Sequence, residues 1–310
     1  MGAQQEDFGQ EPCNVCKTRD ARLLFWGRDK SVYDHDRTFP VFRCNNCGLV
    51  SISPQPPKQE HDFFYSSEYP FRPGKKAQPL GHYQPVVDLM LKRKPGRVMD
   101  VGTGNSPFLP TMKNLGWDVF GTELDRETVE DFKNQHQIDL FYGELEDAGY
   151  DGGSFDVVTI MGVLEHVRDP FALTKEVSRL LKDDGLLCLY CFNHSFEARL
   201  LGKYWVGFDI PRHLYSFPYR SLEKLLEENG FAIEECNYHP ISFLPYFAVW
   251  ASMRLKNRLK GSREATFPPL FLPKPVLLLS KPLGVLLAKM RASSSVYVFA
   301  RNDGRAREMT

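Results

Sequence analysis

At 310 residues, with 42% hydrophobic and 25% charged side chains, the chain can bury one large core with an appendage, or two modest cores. Its 39 basic and 39 acidic residues cancel, which argues against a dedicated nucleic-acid binder while leaving room for a local basic patch. The opening "MGAQQEDFGQ" lacks the basic-then-apolar order of a signal peptide and no run of eighteen uncharged apolar residues occurs, so the expectation is a cytoplasmic chain without an ordinary membrane span.

Cysteine chemistry comes first along the chain. Seven cysteines are odd for a disulfide framework, and four of them form two close pairs, "EPCNVC" and "FRCNNCGLV", with 27 residues between the pairs. Each C-x2-C turn points two sulfurs at one centre, so Cys13, Cys16, Cys44 and Cys47 can set four thiolates tetrahedrally around zinc at ~2.3 Å. A closed set of four sulfurs leaves no open position, which makes the metal structural. Residues 1–60 are therefore expected to form a small zinc-ribbon-like module, and the proline- and aromatic-rich residues 61–93 a linker and a covering helix.

Residues 94–239 alternate strand candidates ("RVMDVG", "WDVFGT", "IDLFYG", "FDVVTIM", "LLCLYCF", "FAIEECNY") with helix candidates. That order predicts an α/β fold with a doubly wound parallel sheet. The helices "DPFALTKEVSRLLKDDG" and "SLEKLLEENG" are expected to end on left-handed caps at Gly185 and Gly230. A second C-x2-C, "CLYC" at 188–191, lies in a strand, where residues three apart face opposite ways, so these two are read as core cysteines. Residues 240–293 form an apolar insertion with nine Lys or Arg against one acid, Glu264, and residues 294–310 hold a last strand, "SSVYVFARN", and a tail.

The stretch "RVMDVGTGNSPF" delivers a glycine-paired loop from a strand to a helix start. A dinucleotide fingerprint needs a third small residue where this chain has Pro107, and a P-loop needs Gly-Lys-Ser/Thr, which is absent. Asp100 precedes the loop, and Glu123 ends the second strand, where an acid can accept both ribose hydroxyls. Adenosine without phosphates remains, which points to S-adenosylmethionine, its carboxylate near the N–H groups of Gly102, Gly104 and the following helix. A helix-capping loop that serves another ligand is the alternative.

With these motifs in this order the chain resembles the class I S-adenosylmethionine-dependent methyltransferases over roughly residues 60–303. The resemblance implies a Rossmann-like doubly wound seven-stranded sheet with its last strand antiparallel, a role "SSVYVFARN" can fill. It places Glu144 and Leu145 at the adenine, Leu124 and Met161 beside the cofactor, and Ser106 where the family usually has a third glycine. The Cys-bearing module and "FFYSSEYPF" resemble a subset with an N-terminal zinc module, some of which act on sugars. "IMGVLEHV" is similar to a stretch of quinone-pathway O-methyltransferases that carries two glutamates and a histidine. Here Glu165 and His166 are kept, but Gly162 stands at the first glutamate.

Methyl transfer needs an aligned acceptor and, for a hydroxyl, a base. Glu165, His166 and His213 are the catalytic candidates, and Trp205, Arg212, His213 and Tyr215 suit a substrate wall. The expected acceptor is a small molecule, a glycan or a lipid-linked or phenolic group. The insertion reads either as an interfacial element touching anionic membrane or as a lid or dimer contact. Two rival functions stand beside this: an RNA methyltransferase gripping RNA with its zinc module, and a non-catalytic protein keeping the cofactor fold.

Overall fold

The computed structural model describes residues 11–29, 37–65, 82–205, 207–240, 242–245, 247–248, 251–252 and 274–304. In chain order its strands are β1 (Ala21–Arg28), β2 (Thr38–Cys44), β3 (Val50–Ile52), β4 (Arg97–Val101), β5 (Asp118–Glu123), β6 (Phe141–Tyr142), β7 (Phe155–Met161), β8 (Leu181–Phe192), β9 (Tyr215–Ser216), β10 (Phe231–Tyr238) and β11 (Ser295–Asn302). The helices are α1 (His61–Phe64), α2 (Gln84–Met90), α3 (Phe108–Asn114), α4 (Arg126–His136), α5 (Pro170–Leu180), α6 (Phe196–Leu201), α7 (Tyr219–Glu228) and α8 (Lys274–Lys289). They fall into two compact units, each with its own sheet and core. The first takes Met1–Pro70, Phe192–Leu222 and Tyr238–Val296, and the second takes Phe71–Cys191, Glu223–Asn237 and Tyr297–Thr310.

In the second unit, β4, β5, β6, β7 and β8 are parallel, as their registers require. The full sheet runs β10-β11-β8-β7-β4-β5-β6. β11 is antiparallel to its neighbours. Its start bonds the end of β10 (His239 N–H to Ser295 O), and just past its end Asp303 N–H bonds Gly230 O at the start of β10. Near its other flank, Asn302 Nδ2 reaches the carbonyls of Leu181 and Lys182 at the start of β8. The expected seven-stranded sheet with one reversed strand is thus present. Its central strands read as continuous apolar runs because helices cover both faces, and Val98, Met99, Val157, Val158 and Ile160 are all fully buried.

Local chemistry sets where the helices start. Asp125 caps α4 by accepting the Thr128 N–H at 3.0 Å. Asp169 caps α5 through the N–H groups of Phe171 and Ala172, with Pro170 in the first turn, where its missing N–H costs nothing.

The expected helix over "DPFALTKEVSRLLKDDG" stops sooner, at Leu180. Leu181 already pairs with Phe155, and Leu186 then pairs with Val157, so Lys182–Gly185 bulges out of the ladder. The left-handed residue is Asp184 (φ +60°) rather than Gly185, while Gly230 takes its expected cap (φ +77°). Cys188 and Cys191 are both fully buried in β8, and burial pushes both thiols up, as core cysteines require.

The first unit holds a four-stranded antiparallel sheet, β1-β2-β3-β9. Its core joins Phe39, Val41, Val50 and Ile52 of the sheet to Ala198, Trp205, Phe208 and Ile210. Residues 192–222 therefore belong with the N-terminal strands, although they follow the fifth parallel strand in sequence. Of the insertion, residues 253–273, with 241, 246, 249 and 250, lie outside the described residues, and with them Glu264 and the basic residues from 254 to 263. Its later part forms α8 despite an internal Pro282, with Leu278, Val285 and Leu286 exposed. No helix among the described residues is long and apolar enough to cross a membrane.

Candidate cofactor site and cysteine cluster

The second unit concentrates its chemistry at the carboxyl edge of its parallel strands. β5 and β6 extend the sheet from β4 in one direction, β7 and β8 in the other, so β4 ends at a topological switch point, where open α/β sheets bind ligands. Gly102 and Gly104 follow β4, and both adopt left-handed backbone (φ +63° and +54°). At Gly102 a Cβ would also lie 2.7 Å from Val163 Cγ2, so the turn admits no side chain there.

The Glu123 carboxylate holds this turn closed against β5. Its Oε2 accepts the Gly104 N–H at 2.7 Å, and its Oε1 accepts the N–H groups of Leu124 (2.7 Å) and Asp125 (2.9 Å). Burial pushes the carboxyl up, and the three amides oppose that shift. The sequence suggested ribose hydroxyls as its partners, yet in this structure backbone amides take three of about four acceptor sites. One lone pair on Oε2 remains for a ligand hydroxyl.

Asp100 is fully buried at the end of β4. Its carboxylate accepts from the Thr159 hydroxyl and, at 3.3 Å, from Tyr83 OH. Tyr83 stacks on Phe108 with centroids 4.6 Å apart. Ser106 Oγ accepts the Phe108 N–H at 3.1 Å. Ser106 thus caps the start of α3, and Tyr83 ties Phe108 of that helix to Asp100 by a ring stack and a hydrogen bond. Sequence reasoning missed Tyr83 and Thr159, since neither carries a local signal beyond a tyrosine before a helix and a threonine within an apolar strand.

Burial pushes the Asp100 carboxyl up to about 7, with the Thr159 and Tyr83 hydrogen bonds limiting the shift. In the unfolded chain this group titrates near the usual ~4, so between about pH 4 and 7 the folded state holds a proton that the unfolded state has released. Its contribution to stability therefore falls as pH rises through that window and levels off above it. Urea unfolding of wild type and Asp100→Asn from pH 4 to 8 is expected to show a downward slope in the wild type that the variant lacks. Parallel pH profiles would exclude a raised Asp100.

The remaining cofactor-side candidates sit along the same edge. Leu124 is half-exposed after Glu123, Glu144 precedes the one-turn 3-10 helix Leu145–Asp147, Leu145 is buried, and Met161 ends β7. Glu165 (buried) and His166 (half-buried) follow on the turn after β7. Gly162 is left-handed (φ +72°), so a glutamate at that position would be strained whatever the open space around it.

The first unit brings the four sequence-predicted cysteines together. Every sulfur of Cys13, Cys16, Cys44 and Cys47 lies within 4.8 Å of the others, with Cys13–Cys47 at 3.5 Å and Cys16–Cys44 at 3.4 Å. Sulfurs at ~2.3 Å from a tetrahedral ion are about 3.8 Å apart, so the donor set fits zinc in number, softness and spacing. The hydrogen bond shared with Cys47 lowers the Cys13 thiol to about 5 and raises that of Cys47.

The expected substrate wall has a different use. Arg212 is fully buried in a fork-to-fork pair with Asp29 (2.8 Å to each oxygen), and it also bonds Asp209 and the Phe64 carbonyl. Burial alone would lower its pKa, but the two carboxylates raise it. Tyr215 OH accepts from Asn14 and Gln55, and Trp205 Nε1 donates to Ser294 Oγ at 3.2 Å. These three residues are struts inside the first unit, and an arginine whose fork is filled by its own chain has little left for a ligand.

His213 differs from them. Its Nδ1 lies 2.7 Å from the Gly207 carbonyl oxygen, which can only accept. Nδ1 is therefore the donor in that bond, which fixes the orientation of the ring. The Phe192 ring packs 5.2 Å from it.

Residues 77–235 match the profile of a family described as "Methyltransferase domain". The ubiquinone biosynthesis O-methyltransferase of Xanthomonas oryzae pv. oryzae is 33% identical over 153 residues, which are 45% of this chain and 64% of that protein. This chain thus spans less than two thirds of that relative's length. The enzyme of the same name from Coxiella burnetii is 26% identical over 190 residues, 55% of this chain and 81% of its own. The crystal structure of a SAM-dependent methyltransferase from Archaeoglobus fulgidus covers 72% of this chain and 93% of its own, at 14% identity and a TM-score of 0.49.

Proposed function

The chain belongs to the methyltransferase domain family, in its S-adenosylmethionine-dependent class, and on that premise we propose that it methylates an oxygen of a small-molecule acceptor, phenolic or carried on a glycan or a lipid. The observation that carries the cofactor half of this reading is the left-handed Gly102–Gly104 turn bonded to the Glu123 carboxylate at the switch point. Similarity to the two ubiquinone biosynthesis O-methyltransferases supports oxygen as the acceptor atom.

When bound, S-adenosylmethionine supplies an electrophilic methyl group. The turn's own N–H groups bond inward, Gly102 to Thr122 Oγ1 at 3.4 Å, Thr103 to the Thr122 carbonyl at 3.0 Å and Gly104 to Glu123 at 2.7 Å, so what the turn would give the cofactor is close backbone approach. The remaining lone pair of Glu123 Oε2 would accept a ribose hydroxyl, and Leu145 and Met161 would pack against apolar parts of the cofactor. Ser106 and Tyr83 hold α3 and Asp100 in place beneath the turn. A hydroxyl acceptor must lose its proton as the carbon–oxygen bond forms. His213 Nε2 and His166 are the groups assigned to take it, with Glu165 next to His166 in the chain. A screen with labelled S-adenosylmethionine and catecholic, phenolic and glycan acceptors tests the reading. A methyl ether product is expected, and a product methylated only on carbon or nitrogen would overturn the oxygen assignment.

The same reading assigns structural zinc to Cys13, Cys16, Cys44 and Cys47. Purified protein is expected to carry about one zinc per chain by elemental analysis. Cys47→Ser is expected to lose the metal and to lower the unfolding midpoint, because metal binding in such modules is coupled to folding. A metal-free wild type with an unchanged midpoint would remove zinc from the reading.

A further inference from the structure

The sheet of the first unit carries one row of residues in register across all four strands. Arg22 stands opposite Arg43, Arg43 opposite Val50, and Val50 opposite Ser216. Directly opposite residues put their side chains on one face. At the end of the row, Ser216 Oγ lies 3.4 Å from Nδ1 of the buried His194. Two residues after His194 the chain enters α6, which carries Arg199, and the charges of Arg43 and Arg199 both act on the His194 ring.

Like charges directly opposite on neighbouring strands destabilise a sheet. The other arginines that the structure pairs, Arg37, Arg97, Arg179, Arg212 and Arg301, all meet carboxylates. Among the described residues no carboxylate forms an ion pair with Arg22, Arg43 or Arg199. The acids adjacent in sequence are engaged elsewhere. Asp20 accepts from Asn45 at 2.7 Å, and the fully buried Glu197 accepts from the hydroxyls of Ser242 and Ser294 and from the Phe243 N–H. Arg43 is half-buried, its guanidinium near Gly48 and Pro218, since a Cβ at Gly48 would lie 3.7 Å from Arg43 Nη2 and equally far from Pro218 Cγ. Burial and the two arginine charges hold His194 down to about 4, so its ring is neutral at pH 7. Three cations that no carboxylate pairs among the described residues, beside a neutral hydrogen-bonding ring, form a receptor for an external anion.

We propose that Arg22, Arg43, Arg199 and His194 form a binding site for the phosphoryl or diphosphoryl group of a small molecule. A carboxylate fills one guanidinium fork, whereas a doubly charged phosphoryl group with three oxygens matches several forks at once. This site lies wholly within the first unit and goes beyond the methyl-transfer reading, so it stands or falls without it.

Calorimetric titration of inorganic diphosphate into the full chain at low salt tests the proposal. Saturable binding is expected, weakened at least tenfold in Arg199→Gln and in Arg43→Gln. Arg199 is exposed on a helix, so its variant tests the site even if Arg43→Gln disturbs the neighbouring Cys44. Lys92→Gln, which removes an equal charge from the second unit, is expected to bind as the wild type does. No saturable heat, or equal affinity in Arg199→Gln and wild type, would overturn the site. Vesicles of phosphatidylglycerol and of phosphatidylcholine separate the sources of phosphate. Retention on the anionic vesicles that diphosphate fails to compete would assign the cluster to a membrane surface and overturn the small-molecule proposal.

Discussion

Glu123→Ala is expected to weaken S-adenosylhomocysteine binding at least ~10²-fold in a calorimetric titration. Hydrogen bonds to a charged, buried group contribute about 1.5–3 kcal/mol each, and this carboxylate is placed to serve the ligand and the loop together. Alanine would remove the acceptor for a ribose hydroxyl and release the Gly104 N–H, which now bonds Oε2 at 2.7 Å. It would also orphan the N–H groups of Leu124 and Asp125. Glu123→Gln separates these effects. It keeps one oxygen for the Leu124 and Asp125 amides but turns an NH2 toward Gly104, so intermediate affinity with near-wild-type stability is expected. An alanine variant that binds as tightly as the wild type would show that Glu123 braces the loop without touching the cofactor.

The second large effect concerns the base. His213→Ala or His166→Ala is expected to cut kcat by ~10²-fold or more while cofactor affinity holds, the range typical for loss of a positioned general base. His213 carries a specific signature because its ring is oriented by the Gly207 carbonyl. His213→Gln can keep a donor to that carbonyl and has no basic nitrogen, so it is expected to fold normally and remain slow. Full turnover in both alanine variants would sink the assignment of a histidine base and leave proximity and orientation as the source of rate.

Much of the fold was legible because its signals are local. The two C-x2-C turns at 13–16 and 44–47 need only a few residues each to aim their sulfurs. The apolar runs of β4 and β7 and the Asp caps at Asp125 and Asp169 are likewise written in contiguous sequence. The reversed β11 was expected from family resemblance rather than from its own residues, because an isolated strand pattern has no direction.

The illegible parts share another cause. Arg212, Trp205 and Tyr215 have the chemistry of a substrate wall, yet their partners are Asp29, Ser294, Asn14 and Gln55, each far away in the chain. A guanidinium or an indole N–H is equally suited to a ligand and to an internal acceptor, and only the tertiary fold says which is nearer. The Lys182–Gly185 bulge escaped notice because a helical pattern carries no information about the strand pairing that overrides it at Leu181.

Sequence alone set the two C-x2-C turns, the order of strands and helices, and the glycine turn that follows Asp100, since each depends on residues within a few positions of one another. Packing was needed to bring the two cysteine pairs to one centre, to make residues 192–222 complete the N-terminal sheet and to set Glu123 on the Gly104 amide. It likewise aligned Arg22 with Arg43 across two strands with no acid between them. Those facts are pairings between distant segments, set by which buried hydrogen bonds and charges the packed chain can satisfy at once.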